Sequence, residues 1–283
     1  MANVVLRISK KQGPVPVACL LALMLALLAC TEEATLEGPN GLGAVVVEGR
    51  INRGEGATVV LTRTASPGGP AVFSLVTGAR VSLEDNLGHR EELLHLGSGH
   101  YHSFNIQGET AVSYTLTIET ADEKITGHSV MPAIPIVVDS AIHQQGHDEN
   151  GHLYSSIVLY FQDPPGQADY AWIRVYVTHP LLSKKYYFFY NDEGADGQYR
   201  ELPLALPMLL YYGQTARVEL FQADRQTYGF FQAVLERVQD SAAAQDEDAF
   251  FLAPPENLSA NLSGLAPGYF SAAIRTEKSV AVQ

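Results

Sequence analysis

Between Ser113 and Glu119 apolar and polar positions alternate one for one, with Tyr114, Leu116 and Ile118 set against Thr115, Thr117 and Glu119. Successive side chains of an extended strand point to opposite faces, so this stretch predicts a half-buried strand with the first three residues inward. Val45, Val47 and Ile51 likewise share one face, with Val46, Glu48 and Arg50 on the other. Gly78–Gly88 reads as a strand running into a turn, and further short strands are predicted over Glu91–Leu96 and Tyr101–Phe104. Short strands at such even spacing, broken by turns, predict a two-sheet sandwich over residues 44–131.

Met131-Pro132-Ala133-Ile134-Pro135 then reads as a stiff connector, because each proline restricts itself and its predecessor to extended conformations. Beyond it, Ser156–Phe161 and Tyr170–Val177 are predicted strands joined by Gln162–Asp169; Ile173, Val175 and Val177 form one face of the second, Trp172, Arg174 and Tyr176 the other. Lys184–Tyr190 and Ala216–Phe221 add two more. Phe231, Val234, Leu235 and Val238 keep the i, i+3, i+4, i+7 spacing of an amphipathic helix lying on the sheet, with Asp224 as its N-cap. The acidic, alanine-rich stretch Asp240–Asp248 is then expected as a surface loop. The Gly78-Ala-x-Val-x-Leu-x-Asp85 pattern, followed by Gly88 and Gly99-x-Tyr101, resembles immunoglobulin-like modules related to carboxypeptidase regulatory domains. The expected fold is mainly β: an N-terminal immunoglobulin-like β-sandwich (44–131), then a second β-rich domain (136–283) with one substantial amphipathic helix.

The N-terminal pattern is different. Arg7, Lys10 and Lys11 precede an apolar core from Val15 to Ala29, the order of a secretory signal peptide over residues 1–29. The unbroken run Leu20–Ala29 falls well short of the roughly 20 residues that a membrane-spanning helix needs. Leu27-Leu28-Ala29-Cys30 resembles a bacterial lipobox, with Leu28 larger than the usual small residue, and implies cleavage before Cys30 and its acylation. Each buried methylene contributes about 0.8 kcal/mol, so several acyl chains would hold the protein to a membrane stably. Thr31, Glu32 and Glu33 resemble the surface-export signal of some Gram-negative lipoproteins, and residues 30–43 read as a flexible tether reaching roughly 45 Å.

Charge and cysteine content follow from that processing. The chain has 18 Lys+Arg; without Arg7, Lys10 and Lys11 the mature chain has 15 against 31 Asp+Glu, a net charge of −16 with His neutral. A surface that acidic disfavours nucleic acid and anionic lipid as partners. Of the 2 cysteines, Cys19 leaves with the signal and Cys30 is the anchor, so no thiol remains for a disulfide or a metal.

Three stretches together resemble one family: Cys30-Thr-Glu-Glu33 with Val45-Val-Val-Glu-Gly-Arg-Ile51; Phe161-Gln-Asp-Pro164; and Pro254 to Phe270, PPENLSANLSGLAPGYF. In that order they look like the DUF4249 outer-membrane lipoproteins, apart from a Gly-Gly pair that the family has where Leu262-Ser263-Gly264 stands. The resemblance implies an outer-membrane, surface-exposed lipoprotein that assists a TonB-dependent receptor in nutrient binding or uptake. It supplies no catalytic residues.

The residues themselves offer little chemistry beyond this. His100 and His102 share a strand face, and His143, His147 and His152 are expected in a polar loop with Asp148 and Glu149; imidazole and carboxylate suit zinc or copper. No recognised ligand spacing joins them, and ordinary surface and turn histidines are the favoured reading. A metal-handling lipoprotein using these histidines is therefore one alternative, and an adhesion or envelope-scaffold protein without a ligand is another. Asn191–Gly197 has calcium-type oxygens but not the spacing of an EF-hand, and reads as an acidic turn. Lys185–Tyr190 carries aromatics on both faces, either a doubly covered strand or, with Pro207–Tyr212, an aromatic binding surface. Gly-x-Ser-x-Gly, His-Glu-x-x-His, phosphate-loop and dinucleotide motifs are absent, so the chain is read as non-enzymatic, without a cofactor.

Overall fold

The computed structural model describes residues 43–64, 74–178, 183–240 and 260–282. In chain order the strands are β1 (Val45–Asn52), β2 (Gly56–Arg63), β3 (Ser74–Leu75), β4 (Arg80–Asp85), β5 (Arg90–Glu92), β6 (Leu94–Gly97), β7 (His100–Gln107), β8 (Ser113–Glu119), β9 (Lys124–Val130) and β10 (Val137–His147). They continue with β11 (Leu153–Gln162), β12 (Tyr170–Thr178), β13 (Ser183–Asn191), β14 (Tyr199–Leu206), β15 (Thr215–Ala223) and, after helix α1 (Arg225–Asp240), β16 (Gly268–Ala281). The protein is mainly β, as its alternation predicts, and its first half builds a two-sheet β-sandwich.

One large sheet runs through the whole assembly in the order β13-β12-β15-β16-β1-β2-β7-β6, with β3 attached to β2. Two smaller sheets pack on one of its faces. The sheet β5-β4-β8-β9 covers one end, enclosing a core that includes Val47, Ile51, Leu61, Leu83, Tyr101, Leu116 and Ile118. The sheet β10-β11-β14 covers the other, over Ile157, Leu159, Phe161, Ile173, Val175, Val177 and Leu220. Glu91–Leu96 is two strands, not one: β5 belongs to a small sheet and β6 to the large one, with buried Leu93 at the crossing.

β16 joins the two cores. Its first residues pair in parallel with β1 (Val47 opposite Gly268, Ile51 opposite Ala272), while Gln222 to Thr215 of β15 pair antiparallel with Ile274 to Ala281. Phe270, Ala272 and Ile274 accordingly lie in the first core, and Val280 and Val282 in the second. The connector 131–135 marks where one core gives way to the other, but it does not divide the sheet. The expected blocks 44–131 and 136–283 therefore need one correction, since the segment from Leu262 to Ile274 completes the first core. All described residues fall in one unit, Glu37–Gln283.

Two local features let β16 enter. Gly268 has φ +110, and a Cβ there would stand 1.9 Å from the Val47 carbonyl oxygen, so only glycine permits this approach of β16 to β1. Asn261 then clamps the strand: its amide donates to the His128 and Phe270 carbonyls at 2.7 and 2.5 Å and its oxygen accepts from the Phe270 N–H at 3.1 Å.

On the opposite face of the large sheet sits α1. The Asp224 carboxylate caps it by accepting from the Thr227 N–H at 2.8 Å, as the sequence predicts, and also accepts from the Ser129 hydroxyl. The buried stripe is broader than Phe231, Val234 and Leu235. Tyr228 and Phe230 are buried as well, whereas Leu235 is half-buried, because the helix beds into a cluster of Trp172, Phe221, Phe230, Phe231 and Val234. The Val238 side chain and the stretch beyond Asp240 lie outside the described residues.

Candidate functional site

Cys30, Thr31, Glu32 and Glu33 lie outside the described residues. The candidate histidines do not converge. His100 is exposed on β7, and His102 sits on the same strand with Nδ1 3.3 Å from the Thr58 hydroxyl and its ring edge-on to Phe104. His143, His147 and His152 belong to a long hairpin instead of a loop, since β10 and β11 continue to its tip. There His143 Nε2 lies 3.1 Å from Ser155 Oγ, and burial pushes its pKa down; His152 Nδ1 lies 3.2 Å from Asp148 on the surface.

Among the described residues a different set of three groups converges, Asp163, Asp192 and Asp196, whose oxygens lie within 4.8 Å of one another. Two of these come from the Asn191–Gly197 turn. Their oxygens are largely committed to holding loops together: Asp163 accepts from the Tyr190 hydroxyl at 2.6 Å and the Gly197 N–H at 3.0 Å, and Asp196 from the Gly166 N–H at 2.8 Å. The cluster reads as a loop staple. Lys185–Tyr190, on edge strand β13, has both faces covered, Tyr186 and Phe188 packing on the second core and Tyr187 and Phe189 on the helix cluster.

Among the described residues, one recess that gathers groups from distant parts of the chain lies on the helix side of the large sheet. It is a narrow cleft of about 50 Å³. β1 contributes Arg50 and Asn52, β12 contributes Trp172 and Arg174, and β16 contributes Tyr269, Ser271 and Ala273, with Phe221 of β15 and Phe231 of α1 closing the aromatic side. Period-two alternation puts each of these strand residues on the outer face, and the insertion of β16 between β1 and β15 brings the strands together.

Trp172 stacks on Phe221 with ring centroids 4.0 Å apart and planes 5° from parallel, and Phe231 leans on it at 4.6 Å. Tyr269 meets Phe231 at 4.9 Å. The Trp172 indole N–H is buried without an acceptor among the described residues. Beside this wall Glu219, almost fully buried, takes hydrogen bonds from Arg174 at 2.8 and 2.6 Å and from Arg275 at 2.6 Å. Burial pushes the Glu219 carboxyl up, but the two guanidinium groups outweigh it and hold it below the usual carboxylate range. The Arg174 guanidinium also lies 4.8 Å from the Tyr176 ring and 5.5 Å from Phe221, so its charge is spent within the protein.

Arg50 differs. It is exposed and makes no hydrogen bond or ion pair among the described residues. Glu48, two residues back on the same face, feels its charge: burial pushes the Glu48 carboxyl up, and the charges of Arg50 and His100 offset only part of that. Sequence reasoning separated the two faces of β12 correctly but passed over Trp172 and Arg174, and it gave Arg50 no role. The available signal was a Trp-x-Arg-x-Tyr run on a polar face.

The architecture defines a β-sandwich protein with two cores on a common sheet and a cleft on the opposite side. The chain belongs to the family described as "Domain of unknown function (DUF4249)", whose model matches residues 31–279. No curated protein matches it. Among solved structures, the chicken interferon gamma receptor alpha chain is similar over 64% of this chain and 88% of its own, at 8% sequence identity and a TM-score of 0.19, too low to carry an argument. No helix among the described residues is long and apolar enough to cross a membrane.

Proposed function

We propose that this protein is a non-enzymatic outer-membrane lipoprotein, displayed on the cell surface, that assists a TonB-dependent receptor in binding or taking up a nutrient. The observation that carries the reading is positional. The family match begins at residue 31, immediately after the cysteine of Leu27-Leu28-Ala29-Cys30, so the anchor directly precedes the family region. The sequence between Cys30 and Gly43, with its Gly, Pro and Asn and no periodicity, fits a linker to that anchor.

Co-purification from detergent-solubilised membranes tests the role. A stoichiometric TonB-dependent receptor is expected, and its repeated absence would overturn the receptor assignment. Bound zinc or copper in the purified protein would favour a metal-handling role instead. Mass spectrometry tests the anchor: Cys30 acylated in the wild type supports the reading, and an unmodified Cys30 ends it. Glu32→Ala with Glu33→Ala should keep the lipid but lose surface display, read by proteinase shaving of intact cells; equal cleavage of mutant and wild type would remove the export role from the pair.

A further inference from the structure

We propose that Asp163, Asp192 and Asp196 bind a calcium ion that ties the loop after β11 to the loop after β13. The site goes beyond the receptor role proposed above and does not depend on it.

Three carboxylates whose oxygens lie within 4.8 Å of one another repel unless something positive stands among them. No Lys, Arg or His forms an ion pair with any of the three among the described residues, Arg200 included, whose guanidinium lies 6.0 Å from the Tyr190 ring. The donors they do meet are neutral: the Tyr190 hydroxyl and the Gly197 N–H for Asp163, and the Gly166 N–H for Asp196. A carboxylate offers about four lone-pair sites, so these bonds orient the groups and leave capacity for an ion.

Two buried groups carry the assignment. Asp192 is 9% exposed, and its carboxylate accepts no hydrogen bond among the described residues, though one of its oxygens lies within 4.8 Å of both the others. Asp169 is 1% exposed; its Oδ1 accepts from Gln167 and Gln222 at 2.8 and 2.5 Å, while its Oδ2 has no partner. Its carbonyl accepts from the Asp192 N–H at 3.2 Å, and the charges of Asp163 and Asp192 bear on its carboxylate. Buried oxygens without donors are costly, and a cation with its waters supplies what they need. Asp169 is not one of the three converging groups, so a water on the ion serves its Oδ2. Oxygen donors alone suit calcium or magnesium better than zinc or copper. Calcium takes oxygens at about 2.3–2.6 Å, so a central ion reaches groups up to 4.8 Å apart, whereas magnesium, at about 2.0–2.1 Å, demands a smaller and more regular shell.

The full-length protein, purified in a neutral detergent and freed of metal by a chelator, is titrated with calcium chloride and with magnesium chloride by calorimetry at physiological salt. Its thermal midpoint is read with and without each ion. The expected result is one saturable calcium site with a dissociation constant of about 10⁻⁴–10⁻³ M, a raised midpoint, and magnesium at least about tenfold weaker. Asp192→Asn is the sharpest variant, because that carboxylate has no hydrogen bond to lose. It should weaken calcium binding by at least about tenfold, while the metal-free midpoint stays level or rises as repulsion is relieved. Glu193→Gln, at an exposed carboxylate of the same turn, should leave binding unchanged. Terbium gives a second readout: the Tyr190 hydroxyl donates to Asp163, so Tyr190 should sensitise terbium bound there, and calcium should displace it. No saturable calcium binding, or magnesium binding as tightly, would overturn the proposal. So would wild-type affinity in Asp192→Asn, or an equal loss in Asp192→Asn and Glu193→Gln, the mark of diffuse attraction to an acidic turn. If Asp192→Asn fails to fold, calcium against magnesium and terbium displacement on the wild type decide. Receptor capture is measured separately, so calcium binding without capture would keep this site and remove the receptor role.

Discussion

Phe270→Ala tests whether the two cores behave as one. The Phe270 side chain is fully buried, and its surroundings show how tightly it is held. A Cβ on Gly49 would meet its ring at 2.9 Å, and a Cβ on Gly127 would meet its own Cβ at 3.0 Å. Gly49 lies on β1 in the large sheet and Gly127 on β9 in the small one, so the ring is held between the two layers of the first sandwich. Little of that space can collapse when the ring is removed, which places the cost in the range of about 3–5 kcal/mol for a truncated core phenylalanine. Against a stability of about 5–15 kcal/mol this is a large fraction.

Because β16 carries Phe270 in one core and Val280 in the other, the loss should reach the second half as well. Trp172, on β12 in that half, reports it. Urea unfolding followed by Trp172 emission and by far-ultraviolet circular dichroism should give coincident midpoints, both lowered by about 1–2 M for a slope of about 3 kcal/mol per molar urea. If dichroism instead splits into two steps while the Trp172 midpoint stays in place, the cores are independent and the linking role of β16 is refuted. A loss below about 1 kcal/mol would refute the packing argument itself.

Three further outcomes follow from single positions. Gly268→Ala should destabilise by more than about 4 kcal/mol, because strain at positive φ adds to a Cβ driven into the Val47 carbonyl; an unchanged thermal midpoint would contradict the close approach of β16 to β1. Asp224→Ala should cost about 0.5–2 kcal/mol through loss of the helix cap, read by urea unfolding with helix-sensitive dichroism. Burial, with the nearby charges of Asp163 and Asp192, pushes Asp169 up to about 6 from 3.8, so the folded state holds its proton more tightly than the unfolded chain does. Its contribution is therefore full below pH ~4 and lost as pH rises through about 6, at most about 3 kcal/mol in all; Asp169→Asn should flatten that part of the stability profile, and an unchanged profile would refute it.

Which strands the sequence displays depends on what covers them. β8 is readable because one face meets the core and the other meets solvent, so Tyr114, Leu116 and Ile118 alternate with half-exposed residues. β16 gives no such signal in its first half, where Phe270 to Ile274 are all buried, some against the first core and some under the helix side. Small residues such as Ala272 and Ala273 are what a strand covered on both faces in a tight space requires, and they carry no period. Local pattern therefore assigns residues to faces but leaves the central strand unmarked.

The same limit explains the site. Alternation alone places Trp172, Arg174 and Tyr176 on one face of β12, and Glu48 and Arg50 on one face of β1. That these faces are continuous follows only from the insertion of β16 between β15 and β1, which is a matter of long-range pairing. The histidines show the converse. Period two does set His100 and His102 side by side, but the neighbouring β2 offers Thr58 opposite His102 instead of a third ligand. Spacing along one strand can nominate a pair, whereas a site requires the adjacent strands to supply the rest. At the cleft they supply them: an acidic chain places Arg50, with Glu48 on the same face, beside Arg174 and Arg275, whose charges meet Glu219 and Glu277, so the local charge is set by sheet order and not by overall composition.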